Sequence, residues 1–158
     1  MRRIRKTFKR PKKAWDLSRI KEEKIILNKY GLRRKKELWR AEEILRNLRR
    51  RARELIASED KEKEKVLIDK MIKLGMLSNV KGAELDDVLA LTVNDILERR
   101  LQTVVFKKGK SDSVNHARQM IVHGHISIDG KRNKFPSYIV PKEKEHKIVV
   151  SKESRGGK

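Results

Sequence analysis

The chain has 158 residues, enough for one or two small domains, and carries 43 Lys and Arg against 22 Asp and Glu, a formal net charge of +21. An excess that large favours a polyanionic partner. Aromatic residues are only 4% of the chain and Cys is absent. This argues against the aromatic-rich anchor of a basic membrane-surface protein and rules out disulfides and thiolate metal sites.

The charge is unevenly placed. Residues 1–60 carry 22 basic and 9 acidic side chains, residues 61–100 carry 8 of each, and residues 101–158 carry 13 and 5. Two basic ends around a neutral middle imply at least two surfaces that meet the anion. No apolar run approaches the length of a membrane span, and no apolar signal region follows the basic N-terminus. The expectation is therefore no membrane partner and no secretory leader.

Residues 1–34 read as a basic extended arm. Met1–Lys13 contains no acid, and Pro11 with its self-repelling neighbours opposes a packed fold in isolation. Arg2, Arg3, Arg5, Lys6, Arg10, Lys12 and Lys13 are its candidate phosphate contacts; the bland alternative is a solvated tail.

Residues 35–96 read as a helical domain. Leu38, Ala41, Leu45, Leu48, Ala52 and Leu55 recur at spacings of three and four, one apolar stripe on a long helix. Arg40, Arg46, Arg49, Arg50 and Arg53 occupy its other faces and are candidate phosphate contacts. Ser58 and the following acids are expected to open a second helix striped by Leu67, Met71 and Leu74 and stopped at Gly75. Lys81-Gly82 reads as a turn and Leu85, Val88 and Leu89 as a short helix. Thr92 with Asp95 resembles a capping box opening one helix through Leu97, Leu101, Val104 and Val105.

Residues 97–150 have the layout of a small α+β unit, two short helices followed by a small antiparallel sheet. Ser113 is expected to cap a helix with Val114, Ala117 and Ile121 inward and Asn115, His116, Arg118 and Gln119 outward. Ile126 and Ile128 lead into a tight Asp129-Gly130 hairpin turn, and Tyr138-Ile139-Val140 and Ile148-Val149-Val150 read as two further strands. Residues 151–158, with Gly156-Gly157, read as a flexible tail. A helix N-terminus suits a phosphate, and Lys107, Lys108, Lys110 and Ser111 stand beside the one at Ser113. Arg118 and, from the strand turn, Lys131 extend that basic surface.

Leu97 to Thr103, Val105-Phe106-Lys107, and Ser113 with Ala117-Arg118-Gln119-Met120-Ile121 closely resemble the RNA-binding domain named after ribosomal protein S-four. His123-Gly124-His125-Ile126 and Phe135 to Val140 continue the match over residues 97–150. Trp15-Asp16, Tyr30-Gly31-Leu32 and Glu37-Leu38-Trp39-Arg40-Ala41 resemble the archaeal and eukaryotic branch of the small-subunit ribosomal protein family itself. The resemblance implies a cytoplasmic, ribosomal, non-enzymatic protein that binds a junction of small-subunit ribosomal RNA early in assembly. It also implies a place near the path by which messenger RNA enters, beside neighbouring small-subunit ribosomal proteins and with an influence on decoding accuracy. Arg99, Asn115, His116, Gln119 and His123 join the candidate RNA contacts. A free-standing factor acting on stalled or immature ribosomal particles is the rival reading, separable by stoichiometry on the subunit.

Other motifs carry less. Gly109-Lys110-Ser111 looks like the end of a nucleotide-binding loop, but Val104 stands where that loop needs glycine. His116, His123, His125 and His146 have no Cys or acidic cluster beside them, so no metal or other cofactor is expected. The adjacent carboxylates Asp86-Asp87 and Glu42-Glu43 splay apart on a helix rather than facing across a cleft. Trp39 is expected to pack, and Trp15 to stack on a base or anchor the arm.

Overall fold

The computed structural model describes residues 7–77 and 82–151. Arg2, Arg3, Arg5 and Lys6 of the arm, Lys81 of the expected turn, and the tail after Ser151 lie outside the described residues. The architecture is α+β, a helical N-terminal region followed by short helices and a three-stranded antiparallel sheet.

The first difference from the sequence reading is α1, Leu17–Lys29, inside the segment read as an extended arm. Asp16 caps it by accepting from the Arg19 backbone N–H at 3.5 Å. The helix lacks a clean apolar stripe, and its one buried residue is an acid, Glu23. That carboxylate pairs with Lys35 at 3.0 Å and with Arg19, and accepts from the Trp39 indole N–H at 3.2 Å. A polar fastening of this kind leaves little hydrophobic periodicity to read.

Helix α2, Lys35–Ser58, follows the expected stripe, with Leu38, Ala41, Leu45, Leu48 and Ala52 buried. Ser58 ends this helix rather than opening the next; Glu59 turns left-handed at φ 51° and Asp60 caps α3, Lys61–Lys73, through the Lys63 N–H at 3.3 Å. Gly75 does stop α3: at φ +69° it lets Met76 N–H reach Met71 O at 3.1 Å. Helices α4 (Leu85–Ala90) and α5 (Val93–Glu98) each open with a capping box, Glu84 with Asp87 and Thr92 with Asp95.

The helix expected to run from Thr92 past Val105 is instead broken. Arg100 adopts φ −67°, ψ 141°, and α6 restarts at Leu101–Lys107. The break at extended Arg100 is used for pairing: Val140 N–H donates to Arg99 O at 2.9 Å and Leu101 N–H to Tyr138 O at 2.7 Å. Residues 138–140 accordingly form an isolated bridge, Arg100 with Ile139, and not the expected strand. Helical periodicity continues across the break, so spacing alone hides it.

Helix α7, Val114–Val122, is capped by Ser113, whose hydroxyl accepts from His116 N–H at 3.1 Å. Strands β1 (Ile126–Ile128), β2 (Lys131–Arg132) and β3 (Ile148–Val150) form the sheet in the order β2-β1-β3. Asp129 and Gly130, both at positive φ, make the two-residue turn that pairs Ile128 with Lys131. Among the described residues there are two cores. Leu38, Met71, Val88, Ile96 and Leu97 belong to the first, and Leu101, Val105, Ala117, Ile121, Ile126 and Val140 to the second. The boundary falls at the Arg99-Arg100 break.

Candidate nucleic-acid interface

The two cores are joined by polar groups. Gln102 is fully buried, and its amide donates to Gly31 O at 3.0 Å and to Val114 O at 3.1 Å. These bonds tie the end of α1 to the start of α7. Beside them Glu37, in the first turn of α2, accepts from Arg118 at 2.9 and 3.0 Å and from Arg100 at 2.6 Å. Burial alone pushes the Glu37 carboxyl up, but hydrogen bonds from Arg118 and Arg100 outweigh it and hold the group below its ordinary 4.5. It stays ionised between two guanidinium groups.

One carboxylate cannot neutralise what surrounds it. Arg33, Arg34, Lys36 and Arg40 from the start of α2, Arg118 from α7, and the Pro136-Ser137 loop enclose a cleft of 320 Å³ around Glu37. Arg33, Arg34, Lys36 and Arg40 are exposed. The N-terminus of α2 has no side-chain cap and lies at the same mouth, adding unpaired N–H groups to the positive field. A cationic concavity of this kind suits phosphates. A second hollow, of 550 Å³, adjoins it and shares Arg34 and Lys36.

A third concavity, 980 Å³, lies on the small domain against the start of α7. Lys110, Ser111, His116, Gln119 and His123 line it, with Asp112 and His125. The His123 and His125 rings lie parallel with centroids 6.1 Å apart, and His116 Nδ1 is 3.4 Å from Asp112. Among the described residues no group of three or more metal-ligating side chains is placed to hold an ion. No helix of the described residues is long and apolar enough to cross a membrane.

The remaining candidates divide by what they already do. Arg10, Lys12, Lys13, Lys107 and Lys131 are exposed, Lys107 with Glu98 at 3.1 Å. Arg46, Arg49 and Arg53 line a shallow hollow on α2, where Arg46 pairs with Glu43. Arg50 turns to Glu54 at 3.7 Å. Others are engaged internally: Arg49 donates to Leu91 O at 2.7 Å, Arg99 to Val140 O at 2.8 Å, Lys108 to Glu145 O and Lys110 to Ile148 O. Ser111 is buried and Ser113 is occupied as a cap, while exposed Asn115 lies against Gly31. Arg118, expected to project outward, is bound to Glu37.

Sequence reasoning did not single out Arg33, Arg34 or Lys36, which fall at the seam between arm and helix. The four-base run Arg33-Arg34-Lys35-Lys36 was the signal available. Nor did it single out Glu37, Arg100 or Gln102 as the joint between the cores, because the Glu37 contacts join residues 63 and 81 apart.

Comparison with known proteins agrees with this architecture. Residues 99–146 match the S4 domain family, a span that begins at the break before α6. Over 150 residues, 93% of this chain, it is 49% identical to "Small ribosomal subunit protein uS4" of Ignicoccus hospitalis, covering 89% of that protein. The protein of the same name from Methanothermobacter thermautotrophicus is 47% identical with 86% covered, and that of Saccharolobus solfataricus 45% with 82% covered. Because the similarity runs through the helical region as well as the S4 domain, the chain belongs to the uS4 family of small ribosomal subunit proteins.

Proposed function

We propose that this chain is a structural, non-enzymatic component of the small ribosomal subunit that binds a ribosomal RNA junction early in assembly and fixes the angle between its helices. The observation that carries this reading is the cleft between the two cores. Four cations at the start of α2 and Arg118 of α7 line it, around one carboxylate that joins the two cores. Phosphates of one RNA helix can be taken by the start of α2, and those of another by the small domain. The polar joint sets their relation.

Affinity comes largely from release of counterions condensed on RNA phosphates as Lys and Arg replace them. Selectivity comes from RNA shape, since A-form grooves hide base edges from side chains. Binding one folded arrangement stabilises it against competitors by mass action, which is how such a protein acts early in assembly. Placed near the path of incoming messenger RNA and beside other small-subunit proteins, it influences decoding accuracy.

The test is binding to purified small-subunit ribosomal RNA, followed by nucleotide footprinting and by stoichiometry on isolated subunits. The expected result is protection clustered at one multi-helix junction, with near one copy per small subunit after a high-salt wash. Equal affinity for unstructured RNA of the same length, with no clustered protection, would overturn the reading. Loss of the protein in the wash would favour a transient factor.

A further inference from the structure

We propose that the hollow between the N-terminal segment and α2 receives one unpaired nucleotide of the bound RNA, its base against Trp39 and its phosphates on Arg34 and Lys36. The inference rests on the RNA-binding reading above and names what that surface holds at this place.

The hollow has two kinds of wall. Pro11, Ala14 and Trp39 supply an apolar surface, and Arg10, Arg34 and Lys36 a cationic rim; its lining contains no acid. A flat apolar surface beside clustered cations is the chemical complement of a nucleotide, which joins a π-face to an anion. Its volume of 550 Å³ lies in the range of small-ligand sites.

The indole is held in place before any ligand arrives. Its N–H donates to Glu23 at 3.2 Å, and the Phe8 ring lies 5.9 Å away, tilted by 33°. A stacking surface fixed in advance loses little freedom on binding. Arg19 pairs with Glu23 and donates to Lys13 O at 2.8 Å and Ala14 O at 3.1 Å, so the N-terminal wall is tied to α1. Arg34 and Lys36 also line the cleft around Glu37. RNA held in that cleft passes the rim of this hollow, which is why a nucleotide is the occupant assigned and not an acidic peptide.

The test uses the full chain carrying Trp15→Phe. Trp15 is 91% exposed and does not line the hollow, so Trp39 becomes the sole tryptophan reporter. Titration with a small-subunit ribosomal RNA transcript is expected to quench Trp39 emission, saturating as binding saturates. Adding Ala14→Phe fills the hollow from an exposed position while keeping the backbone carbonyl that Arg19 uses. That variant is expected to bind about 5- to 150-fold more weakly, the range for losing one stacked base, with Trp39 unquenched. Binding with unchanged Trp39 emission overturns the inference and leaves the RNA-binding reading intact, and it does so even if Ala14→Phe fails to fold. Wild-type affinity in a folded Ala14→Phe protein overturns it equally. Quenching by polyglutamate as strong as by RNA assigns the hollow to acidic peptides and also overturns it. Failure to bind the transcript at all at low salt removes the RNA-binding reading, and this inference with it.

Discussion

The Glu37 carboxylate accepts two hydrogen bonds from the Arg118 guanidinium, at 2.9 and 3.0 Å, across 81 residues of chain. Arg100, 5% exposed, donates to the same carboxylate at 2.6 Å. Bidentate geometry in a partly buried setting fixes direction as well as distance. The pair ties the helical region to the S4 domain.

Replacing Glu37 by Gln leaves two guanidinium groups facing each other without a counter-charge. The expected cost is about 3 kcal/mol, typical of breaking a buried pair from one side. Urea unfolding of E37Q should show that loss, with the transition broadening or splitting as the two cores separate. A midpoint equal to wild type would show that the pair does not fasten the domains.

Stability should fall in acid. The Glu37 carboxyl is depressed below 4.5, so its contribution is complete above that pH and is lost as pH drops through the folded-state value. Glu23 behaves alike: burial raises it, but hydrogen bonds from Trp39, Lys35 and Arg19 outweigh this and lower it. Urea midpoints at about pH 6 and about pH 3.5 check the sign, and E37Q should show a shallower decline between them because one titrating group is gone.

Two left-handed glycines should respond differently to alanine. At Gly109, φ +64°, an added Cβ meets nothing, so only the backbone cost of about 1–2 kcal/mol applies. At Gly31, φ +57°, the Cβ would stand 2.9 Å from Asn115 Oδ1, Gln102 Nε2 and Val114 Cγ1. G31A should therefore melt well below G109A, and equal melting temperatures would refute the close packing at this joint.

Much of this fold can be read from the residues alone, and the gaps have physical causes. The Leu38-to-Leu55 stripe, the Thr92–Asp95 box, the Ser113 cap and the Asp129-Gly130 turn are local signals, and each produces the expected local structure. Helix α1 escapes notice because its buried residue is Glu23, whose partners are cations and an indole N–H. The break at Arg100 escapes because its cause is pairing with Ile139, far along the chain. For the site, sequence reasoning finds basic residues but cannot tell an available one from one already used. Lys110 and Arg99 look alike in sequence to Lys107, yet both donate to backbone carbonyls of their own domain.

That distinction separates two sets of charge removals. Changing exposed Lys107 to Gln should weaken RNA binding and flatten its salt dependence by about 0.7–0.9 logarithmic units of slope with the melting temperature kept, whereas changing Lys108 and Lys110, which donate to Glu145 O and Ile148 O, should lower the melting temperature. Adding Arg118→Gln should also lower the melting temperature, because Glu37 loses its bidentate partner. Binding at two salt concentrations beside circular-dichroism melts checks both halves. An unchanged melt on adding Arg118→Gln would show that Arg118 is not structural.

The most direct measurement is the salt dependence of binding to small-subunit ribosomal RNA for the wild-type chain and for a variant with Arg33, Arg34, Lys36 and Arg40 all changed to Gln. These four side chains line the cleft and make no hydrogen bond or ion pair among the described residues, so the fold should survive. If the cleft grips phosphates, the logarithmic slope should fall by about 3, since each lost contact removes about 0.7–0.9. A folded variant with the wild-type slope and affinity would contradict the claim that the RNA is held between the two cores.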